Sequence, residues 1–195
     1  DSEVSDTEAV VSTIVSDNYD AGVQCAKDMM KKKTSANIII VNQKALNSIN
    51  ERVKGFRDTI KGHPQYKIVE EKESAAEFEI AMKVMEEIIY EKKNYDVVMG
   101  GNDPIALGCI AAMQMTDKTD QVMVYGVDGS PDGKAMIKAG FLEGTAAQSP
   151  IKIGEKAVQT AYSYLAGETV KKHVTIPVEL ITADNLKLYD MTGWQ

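Results

Sequence analysis

Asn102 and Asp128 are the two polar side chains in this chain whose placement most directly suggests chemistry. Each closes an apolar run, Val97–Met99 ahead of Asn102 and Val122–Val127 ahead of Asp128. An amide and a carboxylate side by side accept and donate hydrogen bonds without breaking any bond, which suits capture of a polar small molecule. Both runs lack alternation, so each reads as a strand of a parallel sheet covered on both faces. The Ala/Ile/Leu/Met-rich segment between them opens with Asp103-Pro104, where Asp103 is expected to cap a helix and Pro104 fits its first turn. Strand, helix, strand with a right-handed crossover leaves Asn102 and Asp128 at the same carboxyl edge of the sheet. Open α/β sheets bind ligands at that edge.

Bond-breaking chemistry finds no footing in the rest of the chain. There is no GxGxxG, no GxxxxGK[ST] and no GxSxG. His63 sits beside Pro64 in a turn and His173 lies far away, so no nucleophile–base pair and no zinc spacing emerges. Cys25 and Cys109 fall in helix-like apolar patterns and read as small buried thiols. Glu70-Glu71 and Glu86-Glu87 read as solvated faces. The expectation is a non-enzyme with no cofactor and no metal.

The elements that must position Asn102 and Asp128 alternate strand and helix nearly throughout. Val10–Val15 reads as a strand, and Asp17 or Asn18 caps a helix to about Lys33 with Ala21, Cys25, Ala26, Met29 and Met30 inward. Asn37–Val41 is a buried strand, and Ile49–Gly62 a helix with Val53, Phe56 and Ile60 inward. Tyr66–Val69 is a strand. Ser74–Lys93 reads as a long helix with Phe78, Met82, Met85, Ile88 and Ile89 on one side, so Phe78 is expected in the core. After the central unit come a short helix, Pro131–Ala139, a short strand, Thr145–Gln148, a helix, Pro150–Leu165, and one last strand, His173–Ile181. The fold class is α/β with a mainly parallel, doubly wound sheet.

Composition agrees with this. The chain has 195 residues, and 44% hydrophobic with 26% charged residues is ordinary for a globular protein. The net charge of −7 argues against nucleic acid or an anionic membrane as the main partner. No apolar run is long enough to span a bilayer. The opening DSEVSDTEAVVST is polar and acidic with no strand and helix ahead of it, so it reads as the tail end of something.

Six segments carry a family resemblance: TIVSDNYDAG at Thr13–Gly22, NERVKGF at Asn50–Phe56, GNDPIALG at Gly101–Gly108, YGVDGSPD at Tyr125–Asp132, AAQSP at Ala146–Pro150 and VELITADN at Val178–Asn185. In this order and rhythm the chain resembles the carboxyl-terminal two thirds of a type I periplasmic solute-binding protein of the ribose/galactose-binding kind. That family is built of two α/β lobes joined by three crossing segments, with the ligand between them. The resemblance implies that 1–16 is a remnant of the first lobe and a crossover, 17–148 the second lobe, 149–180 a return to the first lobe, and 181–195 a crossover back and a tail. Most of the first lobe is then missing, as a trimmed segment or a second chain. By itself this chain is expected to bind weakly or not at all.

The implied function is the extracytoplasmic sugar-binding subunit of an ABC importer, periplasmic or a cell-surface lipoprotein, whose closed form is read by a membrane permease. The alternative is the effector domain of a LacI-type regulator, which shares the core fold but carries a basic helix-turn-helix headpiece. Nothing in this chain matches one. The resemblance implies that Arg52, Asn102, Asp128 and Gln148 bind ligand, with Asp1 matching a fifth position. Charged forks and carboxylates suit sugar hydroxyls. The alternatives are a helix-surface arginine at Arg52, a plain cap at Asn102, a plain turn at Asp128-Gly129, a solvated amide at Gln148 and a disordered terminus at Asp1. The family's pattern is broken twice: Ser2 stands where an Arg commonly follows the aspartate, and Ala76, with Phe78 two positions off, is the nearest match to an aromatic residue that commonly stacks on the sugar. A polyol, a furanose or a signalling carbohydrate then competes with a simple pyranose as the ligand.

Overall fold

A computed structural model describes residues 2–116 and 121–194. Along the chain they form β1 (Thr13–Ser16), α1 (Asn18–Lys32), β2 (Ala36–Asn42), α2 (Asn47–Ile60), β3 (Tyr66–Glu73), α3 (Phe78–Tyr90), β4 (Val97–Gly100) and α4 (Asp103–Gln114). Then follow β5 (Met123–Asp128), α5 (Pro131–Ala139), β6 (Gly144–Ala147), α6 (Pro150–Leu165), β7 (His173–Ile176) and β8 (Glu179–Thr182).

Six strands build one sheet in the order β3-β2-β4-β5-β6-β8. The first five run parallel, and β8 closes the edge antiparallel to β6. β2 and β4 are apolar at almost every position because helices cover both faces of the sheet. α1 packs on α2 and reaches β5, β6 and β8, while α3 packs on α4, which lies against β4, β5 and α5. The strand order steps from β2 to β3 and then reverses to β4, which puts α2 and α3 on opposite faces. Ile38, Ile39, Ile40, Met99, Tyr125 and Phe56 fill the core between these layers. The expected α/β class and mainly parallel, doubly wound sheet hold.

Apart from this sheet, β1 pairs with β7, in parallel, as a two-stranded sheet. α6 packs on β1 and buries none of its residues; Leu165 is 80% exposed.

Three expectations change. The single last strand is two: Pro177 has no N–H to continue the ladder, so β7 ends at Ile176 and β8 starts at Glu179 in the other sheet. The long helix is shorter, because β3 runs on to Glu73 and Ala76 takes a left-handed φ of 57° before α3. Phe78 is exposed. It heads α3, a turn before Ala81, Met85 and Ile88 begin the buried stripe, and so overshoots the core.

Candidate functional site

The carboxyl ends of β4, β5 and β6 lie next to one another in the sheet, so whatever follows them shares an edge. Asp128 is the last residue of β5, Gln148 follows β6, and Asn102 stands between β4 and α4. Arg52 arrives from α2, whose first residue, Asn47, lies soon after β2. The apolar strands end where the polar groups begin, and that edge is where the side chains meet.

Asp128 is the centre. Its Oδ1 accepts from Gln148 Nε2 at 2.6 Å and faces Arg52 Nη1 at 3.4 Å. Arg52 also donates from Nη1 to the Gly101 carbonyl at 3.0 Å and from Nε to Asn18 Oδ1 at 2.8 Å. Gln148 Oε1 in turn accepts from Ser16 Oγ at 2.8 Å. The guanidinium is buried, its side chain 4% exposed against 17% for Asp128. Arg52 is therefore largely a fixed charge behind the site, and Asp128, Gln148 and Asn102 offer the open polar atoms.

Close helix contact brings Arg52 here. A Cβ on Gly22 would stand 1.8 Å from the Arg52 carbonyl, and one on Gly55 2.0 Å from that of Tyr19. Only glycine at both positions lets α1 and α2 approach near enough for Arg52 to reach Asn18 at the start of α1.

Burial sets the electrostatics. It pushes the Asp128 carboxyl up to about 6, against the opposing pull of Arg52 and of the Gln148 and Asp103 N–H bonds, while the Asp103 carboxylate adds to the rise. Burial pulls the Arg52 guanidinium down from its usual range, with Asp128 and Asp103 resisting. It raises Asp103 too, opposed by bonds from Ser130 and Thr145. The backbone at Asp128 has φ 145°, an uncommon conformation for a residue with a side chain, held by the Gly129 N–H donating to Thr145 Oγ1 at 3.0 Å.

The helix cap differs from the expectation. Asn102 caps α4, its Oδ1 accepting from the Ile105 N–H at 3.0 Å, and its Nδ2 has no hydrogen-bond partner among the described residues. Asp103 is instead wholly buried, accepting from Ser130 N at 2.8 Å, Ser130 Oγ at 2.6 Å and Thr145 Oγ1 at 2.6 Å. It ties α4 to the loop after Asp128. Asp1 lies outside the described residues. Ser16 and Asn18 were not expected at the site, although the rule that pointed to Asn102 and Asp128, a polar residue ending an apolar strand, applies equally to Ser16 after Ile14-Val15. They line a cleft of about 300 Å³ shared with Tyr19, Ser48, Glu51 and His173 and connect it to the Asp128 cluster. Among the described residues no group of three or more His, Cys, Asp or Glu is arranged to hold a metal ion, and no helix is long and apolar enough to cross a membrane.

The likeness to known proteins extends over most of the chain. The ribose import binding protein of Salmonella typhimurium (strain LT2) is 31% identical over 175 residues, covering 88% of this chain and 58% of that protein. The D-apiose import binding protein of Paraburkholderia graminis is 31% identical over 195 residues, 98% of this chain and 62% of that protein. An ABC transporter solute-binding protein of Bacillus halodurans C-125, solved with bound myo-inositol, superposes with a TM-score of 0.90 at 25% identity, over 97% of this chain and 66% of that one. The chain thus spans about three fifths of the length of these curated relatives. Residues 1–169 match the family described as periplasmic binding protein domain, and the chain belongs to that family.

Proposed function

We propose that this chain provides the second lobe, and part of the first, of an extracytoplasmic subunit of an ABC importer that captures a sugar or a sugar-like polyol. The observation that carries this reading is the meeting of Gln148 and Arg52 on Asp128 at one sheet edge, each within hydrogen-bond reach of the carboxylate and beside the place where the chain leaves for the second sheet. A carboxylate held by an amide and a buried guanidinium is pre-oriented to accept ring hydroxyls, and Asn102 Nδ2 adds a donor. Names of relatives support the ligand class: one imports ribose, one D-apiose, and a solved neighbour holds myo-inositol.

The separation of the strands into two sheets supports a closing mechanism. β1, α6 and β7 belong to the first lobe, and the uncovered face of α6 is where the rest of that lobe packs. Ligand bridging both lobes favours the closed form, which a membrane permease then reads. Ala76, where a stacking ring commonly stands, leaves recognition to hydrogen bonds and favours a ligand with hydroxyls on every side.

Calorimetric titration of the complete protein with D-ribose, D-apiose, D-allose and myo-inositol tests this. Binding of at least one at micromolar concentration or below is expected, and failure of the whole panel overturns the reading.

A further inference from the structure

Five side-chain hydrogen bonds at the site close on themselves. Ser16 Oγ donates to Gln148 Oε1 at 2.8 Å, and Gln148 Nε2 donates to Asp128 Oδ1 at 2.6 Å. Arg52 Nη1 faces the same oxygen at 3.4 Å, and Arg52 Nε donates to Asn18 Oδ1 at 2.8 Å. Asn18 Nδ2 then donates to the Ser16 carbonyl at 3.3 Å. The ring begins and ends at one residue.

That residue is in an unusual place. Ser16 is the last residue of β1 and belongs to the two-stranded sheet, and its backbone partner in β7 is Ile176. Asn18 opens α1, which packs against the six-stranded sheet, and Gln148 follows a strand of that sheet. The ring therefore crosses twice between the two sheets, once through Ser16 Oγ and once through its carbonyl. Ser16 is 2% exposed and Asn18 7%, so water does not readily replace either bond.

The polarity of the ring is set at the Asp128 carboxylate and braced at Ser16. The carboxylate takes the Gln148 NH2, which leaves the amide oxygen facing the Ser16 hydroxyl that holds it in place. A reversed amide would bring its oxygen against the carboxylate and lose that bond, since an ionised carboxylate accepts and does not donate. Asn18 does the same for Arg52, since accepting from Nε settles how the guanidinium is rotated and which nitrogen reaches Asp128.

We propose that Ser16 and Asn18 are positioning residues that hold Gln148 and Arg52 in their orientation toward Asp128. Neither is proposed to touch ligand.

The test has two arms, and only the second rests on the carbohydrate-binding reading. In the first, the carboxyl carbon of Asp128 is followed by carbon-13 NMR through a pH titration of the 195-residue chain without ligand. Arg52, Gln148 and the Asp103 N–H favour the ionised form of Asp128, and the Asp103 carboxylate opposes it. Ser16→Ala and Asn18→Ala are each expected to move the midpoint to higher pH, because a released Gln148 or Arg52 favours the carboxylate less. Ser16→Thr keeps the hydroxyl and restores the midpoint. In the second arm, affinity of the complete protein for D-ribose and myo-inositol falls roughly three- to tenfold in Ser16→Ala, the worth of one hydrogen bond. In a Gln148→Ala background Ser16→Ala then adds no further loss. An unmoved midpoint in both alanine variants overturns the proposal, as does full additivity of Ser16→Ala and Gln148→Ala. Failure of every sugar to bind the wild type would sink the functional reading instead, leaving the first arm to decide the ring.

Discussion

Gln148 Nε2 lies 2.6 Å from Asp128 Oδ1, whereas Arg52 Nη1 lies 3.4 Å from that same oxygen. The neutral amide is the near partner of the carboxylate, and the cation stands back. An ion pair closed at full contact would satisfy itself and leave ligand little to gain. Held apart, the carboxylate keeps acceptor capacity for hydroxyl groups while the guanidinium still offsets its charge across the gap.

Replacing Asp128 therefore removes the acceptor on which the site converges. Asp128→Ala in the complete protein is expected to weaken sugar binding at least tenfold, about 1.4 kcal/mol or more for a charged hydrogen bond. Asp128→Asn retains one acceptor oxygen and should fall between. Titration calorimetry measures both, and an Asp128→Ala affinity equal to wild type would remove Asp128 from the site.

Acid weakens binding through the same group. The Asp128 carboxyl is raised to about 6 by burial, from an ordinary value of 3.8. A raised acid contributes stability that is fully present below its unfolded value and is lost as pH rises through about 6, so this group alone makes the fold more stable at pH 5 than at pH 7. Binding has the opposite sign. Hydroxyl donors need the ionised form, so affinity should fall roughly tenfold between pH 7 and pH 5, and binding near pH 6 should release a proton. Titrations in buffers of different ionisation enthalpy read that proton directly. Asp128→Asn should abolish both the proton release and its share of the pH dependence of thermal unfolding.

The alternation of buried strands and amphipathic helices was legible from periodicity, because β2, β4 and β5 are covered on both faces and carry unbroken apolar runs. The common edge of Asn102 and Asp128 was legible for the same reason, since crossover handedness leaves no freedom once strand, helix and strand are recognised. What lay beyond reach was set by contacts between segments distant in sequence. Asp103 looks like a cap by spacing, yet Ser130 and Thr145, from the next loop and strand, draw its carboxylate inward and leave the cap to Asn102. Phe78 keeps the helical register of Met85, but the helix starts there and its first turn overhangs the core. The switch of sheets at Pro177 had a local sign in the missing N–H, masked by β-rich residues on both sides.

The approach of α1 to α2 sets the reach of Arg52. Gly22→Ala places a methyl carbon 1.8 Å from the Arg52 carbonyl, an overlap that backbone cannot relieve without moving a helix. A loss of about 1–3 kcal/mol or more is expected, lowering the melting temperature by roughly 2–12 °C in a chain of this size. Ligand affinity should fall as well, because the displaced α2 draws Arg52 Nε away from Asn18. Calorimetric melting and sugar titration of the same variant separate the two effects, and an unchanged melting temperature would show that the helices already stand farther apart.

Lys134 supplies a different kind of anchor. It is fully buried on α5, the helix that follows the Asp128 loop, and its ammonium donates to the Asp190 carbonyl and, at 2.6 Å, to the Gly193 carbonyl. Burial lowers its affinity for a proton, and the negative charges of Asp190 and Asp103 hold the proton on. Lys134→Met keeps most of the apolar stem but removes every donor, leaving two backbone carbonyls of the tail without their cation. A loss of about 1–3 kcal/mol follows from stranding such groups. The loss should appear first as local release: limited proteolysis should clip the segment from Asp190 onward in Lys134→Met while the rest of the chain stays resistant. Lys134→Arg, with donors retained on a bulkier fork, should protect the tail partly. A tail as resistant in Lys134→Met as in wild type would mean that packing of Leu186 and Tyr189 on the core, and not this ammonium, holds the end of the chain in place.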